Sequence, residues 1–411
     1  MIPFSPPRVD DRIVEEVVDA LKSGWITTGP KTKLFEKRLA EFTTANKIVC
    51  LNSGTAGMEL MLSWFGVEQG DEVIIPSYTY TATANAVVHK GATPVMCDVG
   101  DDFNIDVSKI ESLITDRTKA IIPVDIGGMP CDYDEIYAIV RSKKIRSLFK
   151  PNNERQEQLG RILILADAAH SIGAKYKGQN SGILADASAF SFHAVKNLTT
   201  AEGGALAVNM PDRFDHERIY KELNVKALHG QTKDAFAKVK KGGWRYDVIE
   251  PGYKYNMTDI LASIGLVELE RYNEDTLAKR RYIFDRYTKE LGKNDWAITP
   301  TYETDDKVSN YHLYMLRIKD ITEHERNLII QEIYEQDVAV NVHYQPLPML
   351  TYYKKMGFNV DHYPKAFENY THEISLPVYY DLSDNDIDTV INAVVTAYEK
   401  VMEKSRAQKV V

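Results

Sequence analysis

The sequence predicts an α/β protein, a large unit built on a mainly parallel central sheet and followed by a smaller α+β unit. Two observations carry that expectation. Seven short apolar runs recur between residues 48 and 208, most of them separated by helix-sized gaps, and the pattern changes after Pro251. The runs cover 48–51, 73–76, 94–97, 120–124, 162–165, 187–190 and 205–208. Continuous apolar runs suit strands buried on both faces, whereas alternation suits half-buried ones. Strand–helix alternation then implies parallel pairing, with ligands held just beyond the strand ends.

After Pro251, Asn256-Met257-Thr258-Asp259 reads as a helix start, with a capping side chain and an acidic first turn. The helix is predicted onward through Leu261, Ile264, Val267, Leu269 and Tyr272 to about residue 291. Beyond it, 311–316 and 338–342 read as strands, and 323–336 and 383–404 as helices. The expected division is 1–265 for the large unit and 266–411 for the small one. One polar segment, 141–161, reads as a solvated insertion, with a place at the mouth of the site as the alternative.

A chain of 411 residues can bury a large core without staples. Its net charge of −9 argues against a main task of coating nucleic acid or an anionic membrane. No apolar run approaches the roughly 18 residues of a membrane span. The first eight residues lack the basic patch and apolar stretch of a secretory signal, so a cytoplasmic location is expected. Cys50, Cys97 and Cys131 are far apart and odd in number, which reads as reduced, buried thiols and no metal site.

Three elements carry chemistry. The 162–165 run leads into Ala166-Asp167-Ala168-Ala169-His170, and a carboxylate at the end of a buried strand is costly without a cationic partner. Alone, Asp167 fits equally a cap of the following turn. Lys196 follows the 187–190 run and precedes Gly203-Gly204; alone, it fits a solvated loop lysine. Asn52-Ser53-Gly54-Thr55-Ala56-Gly57 follows the first run and opens a helix, where free N–H groups and the helix dipole attract anions. Together the three ask for a ligand with a phosphate, a cationic ring nitrogen and an aldehyde, which describes pyridoxal 5′-phosphate.

At this point the chain resembles the DegT/DnrJ/EryC1/StrS sugar aminotransferases, a branch of the fold type I pyridoxal-phosphate enzymes. The resemblance is carried by Ser23-Gly24-Trp25-Ile26-Thr27-Thr28-Gly29-Pro30, Pro76-Ser77-Tyr78-Thr79-Tyr80, Ser191-Phe192-His193-Ala194-Val195-Lys196-Asn197, Pro251-Gly252-Tyr253-Lys254-Tyr255-Asn256-Met257-Thr258-Asp259, His343-Tyr344-Gln345-Pro346-Leu347 and Leu376-Pro377. It implies an aspartate-aminotransferase-like large domain with a smaller C-terminal domain joined by a long helix. It also implies that Lys196 forms the Schiff base and carries protons, that Asp167 pairs with the ring nitrogen, and that Gly54, Thr55, Ala56 and Ser191 meet the phosphate. Tyr80 would stack on the cofactor ring, with a core aromatic as the alternative. His170 stands where the family often has Gln, and reads either as a partner of the phenolic oxygen or as a satisfied helix-start histidine.

The resemblance further implies a homodimer with shared sites, in which the Lys254 segment crosses to the partner's phosphate or sugar nucleotide and Lys254 supplies a charge to the cofactor there. Thr28, Arg245, Asn256, His343 and Tyr344 would face substrate. Where many members read Asn-Tyr-Arg this chain reads Lys254-Tyr255-Asn256, so an Arg contact at Asn256 is lost and the nucleotide grip differs; Pro348 stands where the family often has a second histidine after His343, which bears on the substrate roles of His343 and Tyr344. Lys31, Lys233, Arg245 and Lys254 are candidate cations for anionic substrates, each also readable as a surface charge. The expected reaction moves an amino group from glutamate to a nucleotide-linked keto sugar by way of pyridoxamine phosphate. The preferred acceptor is a UDP-4-keto-6-deoxy-N-acetylhexosamine for surface polysaccharide or glycan synthesis. Alternatives are a 3-aminotransferase, a sugar dehydratase, which Lys196 argues against, and a DNA-binding regulator, which the charge argues against.

Overall fold

The computed structural model describes residues 1–232 and 245–409; Lys233 lies outside the described residues. Each of the seven apolar runs forms or overlaps a strand of one sheet: β1 Lys47–Leu51, β2 Glu72–Pro76, β3 Thr93–Cys97, β4 Thr118–Ile121, β5 Leu163–Asp167, β6 Ala187–Ser191 and β7 Gly204–Val208. The order across the sheet is β1-β7-β6-β5-β4-β2-β3. All pairings are parallel except those of β7, which runs against β1 and β6. β6 and β7 are joined by the 192–203 loop, which contains no crossover helix, so the chain returns beside β6 in the opposite direction.

Every residue of β2, β4, β5 and β7 is buried, as expected of strands covered on both faces. Cys50, Cys97 and Cys131 are free and buried, and among the described residues no group of His, Cys, Asp and Glu could hold a metal ion. No helix among them is long and apolar enough to cross a membrane.

A second core surrounds the antiparallel sheet β8 Ala297–Ile298, β9 Tyr314–Ile318 and β10 Glu373–Leu376. The helices Glu323–Tyr334 and Asp384–Lys409 pack on it, the first opened by a capping box between Thr322 and Glu325. Leu347 and Tyr353 reach back into the core of the large sheet.

Three sequence expectations need correction. The helix predicted from 259 to 291 is interrupted: Asp259–Glu270 and Ala278–Leu291 flank a π-helical stretch, Tyr272–Leu277, where buried Arg271 binds Asp10 and Glu268. The 311–316 strand starts only at Tyr314, because Tyr311 takes a left-handed φ of 57° and the His312 and Leu313 N–H groups bond to Gly127. The 338–342 strand is reduced to bridges, Val338 with Ile2 and Asn341 with Ser375.

The 141–161 insertion is ordered rather than simply solvated. It forms the helices Lys143–Leu148, packed on Tyr133–Arg141, and Glu154–Leu159, which meets the end of the helix Gly54–Phe65, where Arg155 donates to the Trp64 carbonyl, and Asn153 and Gln156 to that of Phe65. At its end Arg161 makes a buried two-pronged pair with Asp186, at 2.7 and 2.6 Å, and Asp186 also accepts from the Ile164 N–H of β5. Removing one partner of such a pair strands a charge. Arg161→Met is therefore expected to lower stability by about 3–5 kcal/mol in urea unfolding.

Candidate active site

The strands deliver their chemistry to one edge. There β1 ends before Ser53, β5 ends on Asp167, β6 ends on Ser191, and the returning loop carries Lys196 back to Gly204. A cavity of about 510 Å³ opens at this edge, lined among others by Gly54, Thr55, Tyr80, Asp167, His170, Ser191, Lys196, His343 and Tyr344.

Asp167 is 5% exposed. One oxygen accepts from the Thr83 hydroxyl at 2.7 Å and the other from the Ala169 N–H at 3.2 Å. Burial raises its pKa; those hydrogen bonds and the charge of Lys196 oppose the rise. No Lys or Arg forms an ion pair with it among the described residues, and this buried carboxyl group lines the cavity. Lys196 is held at a pKa of about 8, because burial disfavours its charge more than Asp167 favours it.

On the opposite wall, Ser53 caps the helix Gly54–Phe65, its hydroxyl accepting from the Ala56 N–H at 3.1 Å. That bond spends the Ala56 donor inside the turn, and Ala56 itself is buried and does not line the cavity. Gly54 and Thr55 do line it, at a helix end whose first N–H groups have no intrahelical partner. The approach of chain to chain is close: a Cβ on Gly54 would lie 3.1 Å from the Phe190 carbonyl oxygen, and one on Gly204 would overlap the Ser53 carbonyl carbon and the Gly54 nitrogen. These features fit a phosphate at the helix end, a cationic ring nitrogen at Asp167 and an aldehyde within reach of Lys196.

The remaining cavity residues form a network. His170 accepts from the Gly127 N–H through Nδ1 at 3.3 Å and meets the Tyr344 hydroxyl through Nε2 at 3.1 Å. Both ring nitrogens are thereby engaged, and burial holds the pKa far down, so the ring stays neutral and does not titrate near neutral pH. Since Nδ1 accepts, Nε2 carries the hydrogen. The Tyr80 ring lies 5.7 Å from that of Tyr344 and remains 59% exposed, in place to cover a ring in the cavity rather than packed in the core.

Other predicted residues lie elsewhere. Thr28 and Asn256 bond to each other at 2.7 Å and line a second cavity of about 340 Å³. Lys254 is exposed, its carbonyl accepting from Asn52, and Arg245 is exposed; neither lines the first cavity. Lys31 pairs with Glu16 and Asp19. No residue of 141–161 reaches the first cavity. Sequence reasoning missed Thr83, and also His312, whose ring lies 4.4 Å from His170 and whose Nδ1 meets Asn197 at 2.8 Å. It missed Glu373 too, although a carboxylate beside Ile374 and Leu376 in a four-residue buried strand was a signal.

The family of DegT/DnrJ/EryC1/StrS aminotransferases matches residues 7–149 and 154–395. The spore coat polysaccharide biosynthesis protein SpsC of Bacillus subtilis is 37% identical over 400 residues, covering 96% of each chain. Spr1654 of Streptococcus pneumoniae, provisionally named a sugar aminotransferase and solved in a PMP-form, superposes with a TM-score of 0.94 at 48% identity, over 98% of this chain and 100% of that one. PseC of Helicobacter pylori, an aminotransferase of pseudoaminic acid biosynthesis, superposes with a TM-score of 0.84 at 27% identity, over 97% and 99%.

Two outcomes test the geometry. In the protein without cofactor, Lys196 should react with an amine-acylating reagent with a midpoint near pH 8, the reactive free amine growing as pH rises through that value; peptide mapping checks it, and a midpoint near the ordinary 10.5 would contradict it. Gly204→Ala should lower stability by about 1–3 kcal/mol, the usual cost of overpacking, and weaken cofactor binding, both read by thermal unfolding with and without cofactor.

Proposed function

The chain belongs to the DegT/DnrJ/EryC1/StrS aminotransferase family and is a pyridoxal-phosphate-dependent sugar aminotransferase, and from that premise we propose that it moves an amino group from glutamate to a UDP-linked 4-keto-6-deoxy-N-acetylhexosamine, the product serving a surface polysaccharide or glycan. The observation that carries the reading is the meeting of Lys196, the unpaired buried Asp167 and the Gly54 helix end in one cavity. The names of SpsC and PseC, one in polysaccharide and one in pseudoaminic acid biosynthesis, support the choice of a glycan amino sugar.

When bound, the cofactor's ring serves as an electron sink for the carbon that loses its proton. The protein's residues do the rest. Asp167 holds the ring nitrogen protonated, since a buried carboxylate stabilises an adjacent cation. Thr83 and the Ala169 N–H hold that carboxylate in place. Lys196, with part of its population uncharged near neutral pH, takes and returns the proton at the reacting carbon. Gly54, Thr55 and Ser191 hold the phosphate, and Tyr80 covers the ring. His343 and Tyr344 face the substrate.

The same reading includes a homodimer. Thr28, Asn256, Lys254 and Arg245 lie away from their own chain's first cavity and would serve the partner's, where anionic substrates need cations. A panel of nucleotide 4-keto and 3-keto sugars with glutamate, read by mass spectrometry, tests the substrate: amination of the UDP-4-keto sugar is expected, and amination of 3-keto sugars alone would reject it. Asp167→Asn should stay folded and lose turnover by about two or more orders of magnitude, because a neutral amide no longer holds the ring nitrogen's charge. A rate near wild type would remove Asp167 from the role.

A further inference from the structure

The alternation of β10 places Glu373 and Ser375 on one face, while Ile374 and Leu376 enter the second core. That face meets the segment carrying His343, through the bridge between Asn341 and Ser375. One Glu373 oxygen accepts from the His343 N–H at 3.0 Å, and the other makes a short hydrogen bond with the Ser375 hydroxyl. The Ser375 oxygen in turn lies 2.8 Å from Nδ1 of the His343 ring. His343 lines the cavity, and its Nε2 makes no hydrogen bond among the described residues. A fully buried carboxyl group is thus wired through one hydroxyl to a ring at the cavity wall.

We propose that Glu373, Ser375 and His343 form a proton relay, in which Glu373 acts through Ser375 to fix which nitrogen of His343 carries hydrogen and to supply a proton to the cavity. The steps balance. With Glu373 protonated, it donates to Ser375, Ser375 donates to Nδ1, and Nε2–H points to the cavity. Delivery moves three protons one place each: Nε2 gives its hydrogen to an acceptor in the cavity, Nδ1 takes that of Ser375, and Ser375 takes that of Glu373. Glu373 ends as a carboxylate and His343 ends neutral, with its hydrogen on Nδ1. The reverse run reloads Glu373. The acceptor is the keto oxygen that leaves as water, and only this last identification rests on the aminotransferase reading.

The surroundings favour a neutral relay. Burial raises the Glu373 pKa to about 8, against the opposing effects of Ser375, the His343 N–H and Arg326, while burial holds His343 down to about 3. Arg326 donates to the Glu373 carbonyl at 2.9 Å, and Tyr78 donates to the His343 carbonyl at 2.7 Å. From the cavity side, Lys196 further disfavours an imidazolium, and Tyr344 is the neighbouring phenol. Imidazolium is therefore excluded near neutral pH, and tautomer exchange is the route left to this ring. Glu373 touches no substrate and is a positioning residue.

The test uses the holoenzyme with ¹⁵N-labelled histidine, without any sugar, and His343→Gln to assign the His343 signals. In the wild type the hydrogen should sit on Nε2 below about pH 8 and on Nδ1 above it, with no imidazolium signal. Glu373→Gln, whose amide still donates to Ser375 and accepts from the His343 N–H, should keep the unfolding temperature and hold the hydrogen on Nε2 at every pH. Its turnover should fall about 100-fold with KM unchanged. Wild-type turnover should decline above pH 8, as the transferable proton is lost, and that decline should vanish in the variant. Ser375→Ala, which leaves the bond to the His343 N–H in place, should also abolish the tautomer exchange. A His343 ring that does not change with pH in the wild type, or Glu373→Gln with the wild-type rate and profile, would overturn the relay. Failure of the sugar panel alone would leave the nitrogen signals intact and point to the substrate instead.

Discussion

Asp167 is the constraint around which the rest of the molecule is arranged. A carboxylate 5% exposed at the end of a fully buried strand is unfavourable unless something compensates it, and the protein supplies only a hydroxyl and one N–H directly. Ion pairs that neutralise buried charge elsewhere, such as Arg161 with Asp186, are absent here. Folding thus leaves a buried carboxylate at the cavity wall, held by these two hydrogen bonds and influenced by the charge of Lys196. The sheet topology makes this possible, because parallel strands on both sides of β5 bring Asp167, Ser191 and the start of the Gly54 helix to one edge. The one reversed strand, β7, returns the chain so that Lys196 meets that edge from its loop.

The glycines at this edge act by what they omit. Gly54 and Gly204 sit where β7 and β6 press against the helix start, and any side chain on Gly204 would push the turn outward. The helix-start end of the cavity is therefore set by backbone packing between strands. The carboxylate end is set by Thr83, contributed by the helix Thr81–Val88 that follows Tyr80. The two ends belong to different crossovers of one sheet, so their separation is fixed by the sheet and not by loops.

Much of this was legible in the sequence, for definable reasons. The strands of the large sheet were readable because burial on both faces makes them continuous apolar runs, and Asp167, Lys196 and Gly54 stood out as polar or small residues at the ends of such runs. What failed depended on tertiary contacts. The 311–316 run looks like a strand, yet its first residues spend their N–H groups on Gly127. The long helix was predicted unbroken because the pull of Asp10 on Arg271 comes from 261 residues away and has no local signature. His170, readable either as a partner of the cofactor or as a satisfied helix-start histidine, lines the cavity, and its engagement with Gly127 and Tyr344 could not be foreseen because it joins parts of the chain far apart in sequence. Thr83 lay unremarked in a run of Thr and Ala, since only the fold brings it to Asp167.

Charge at the cavity follows from the same burial. Among the described residues lining it, Lys196 is the only Lys or Arg, and burial keeps His170 and His343 neutral around it. A cavity with so little positive charge cannot hold the cofactor's phosphate through ion pairs alone. The phosphate can rely on helix N–H groups, which need no formal charge. The cations of Lys254 and Arg245 lie on the exterior of the chain. Placement rather than amount of charge shapes this edge: burial keeps His170 and His343 neutral beside Lys196, while Lys254 and Arg245 lie on the exterior of the same acidic chain, whose net charge is −9.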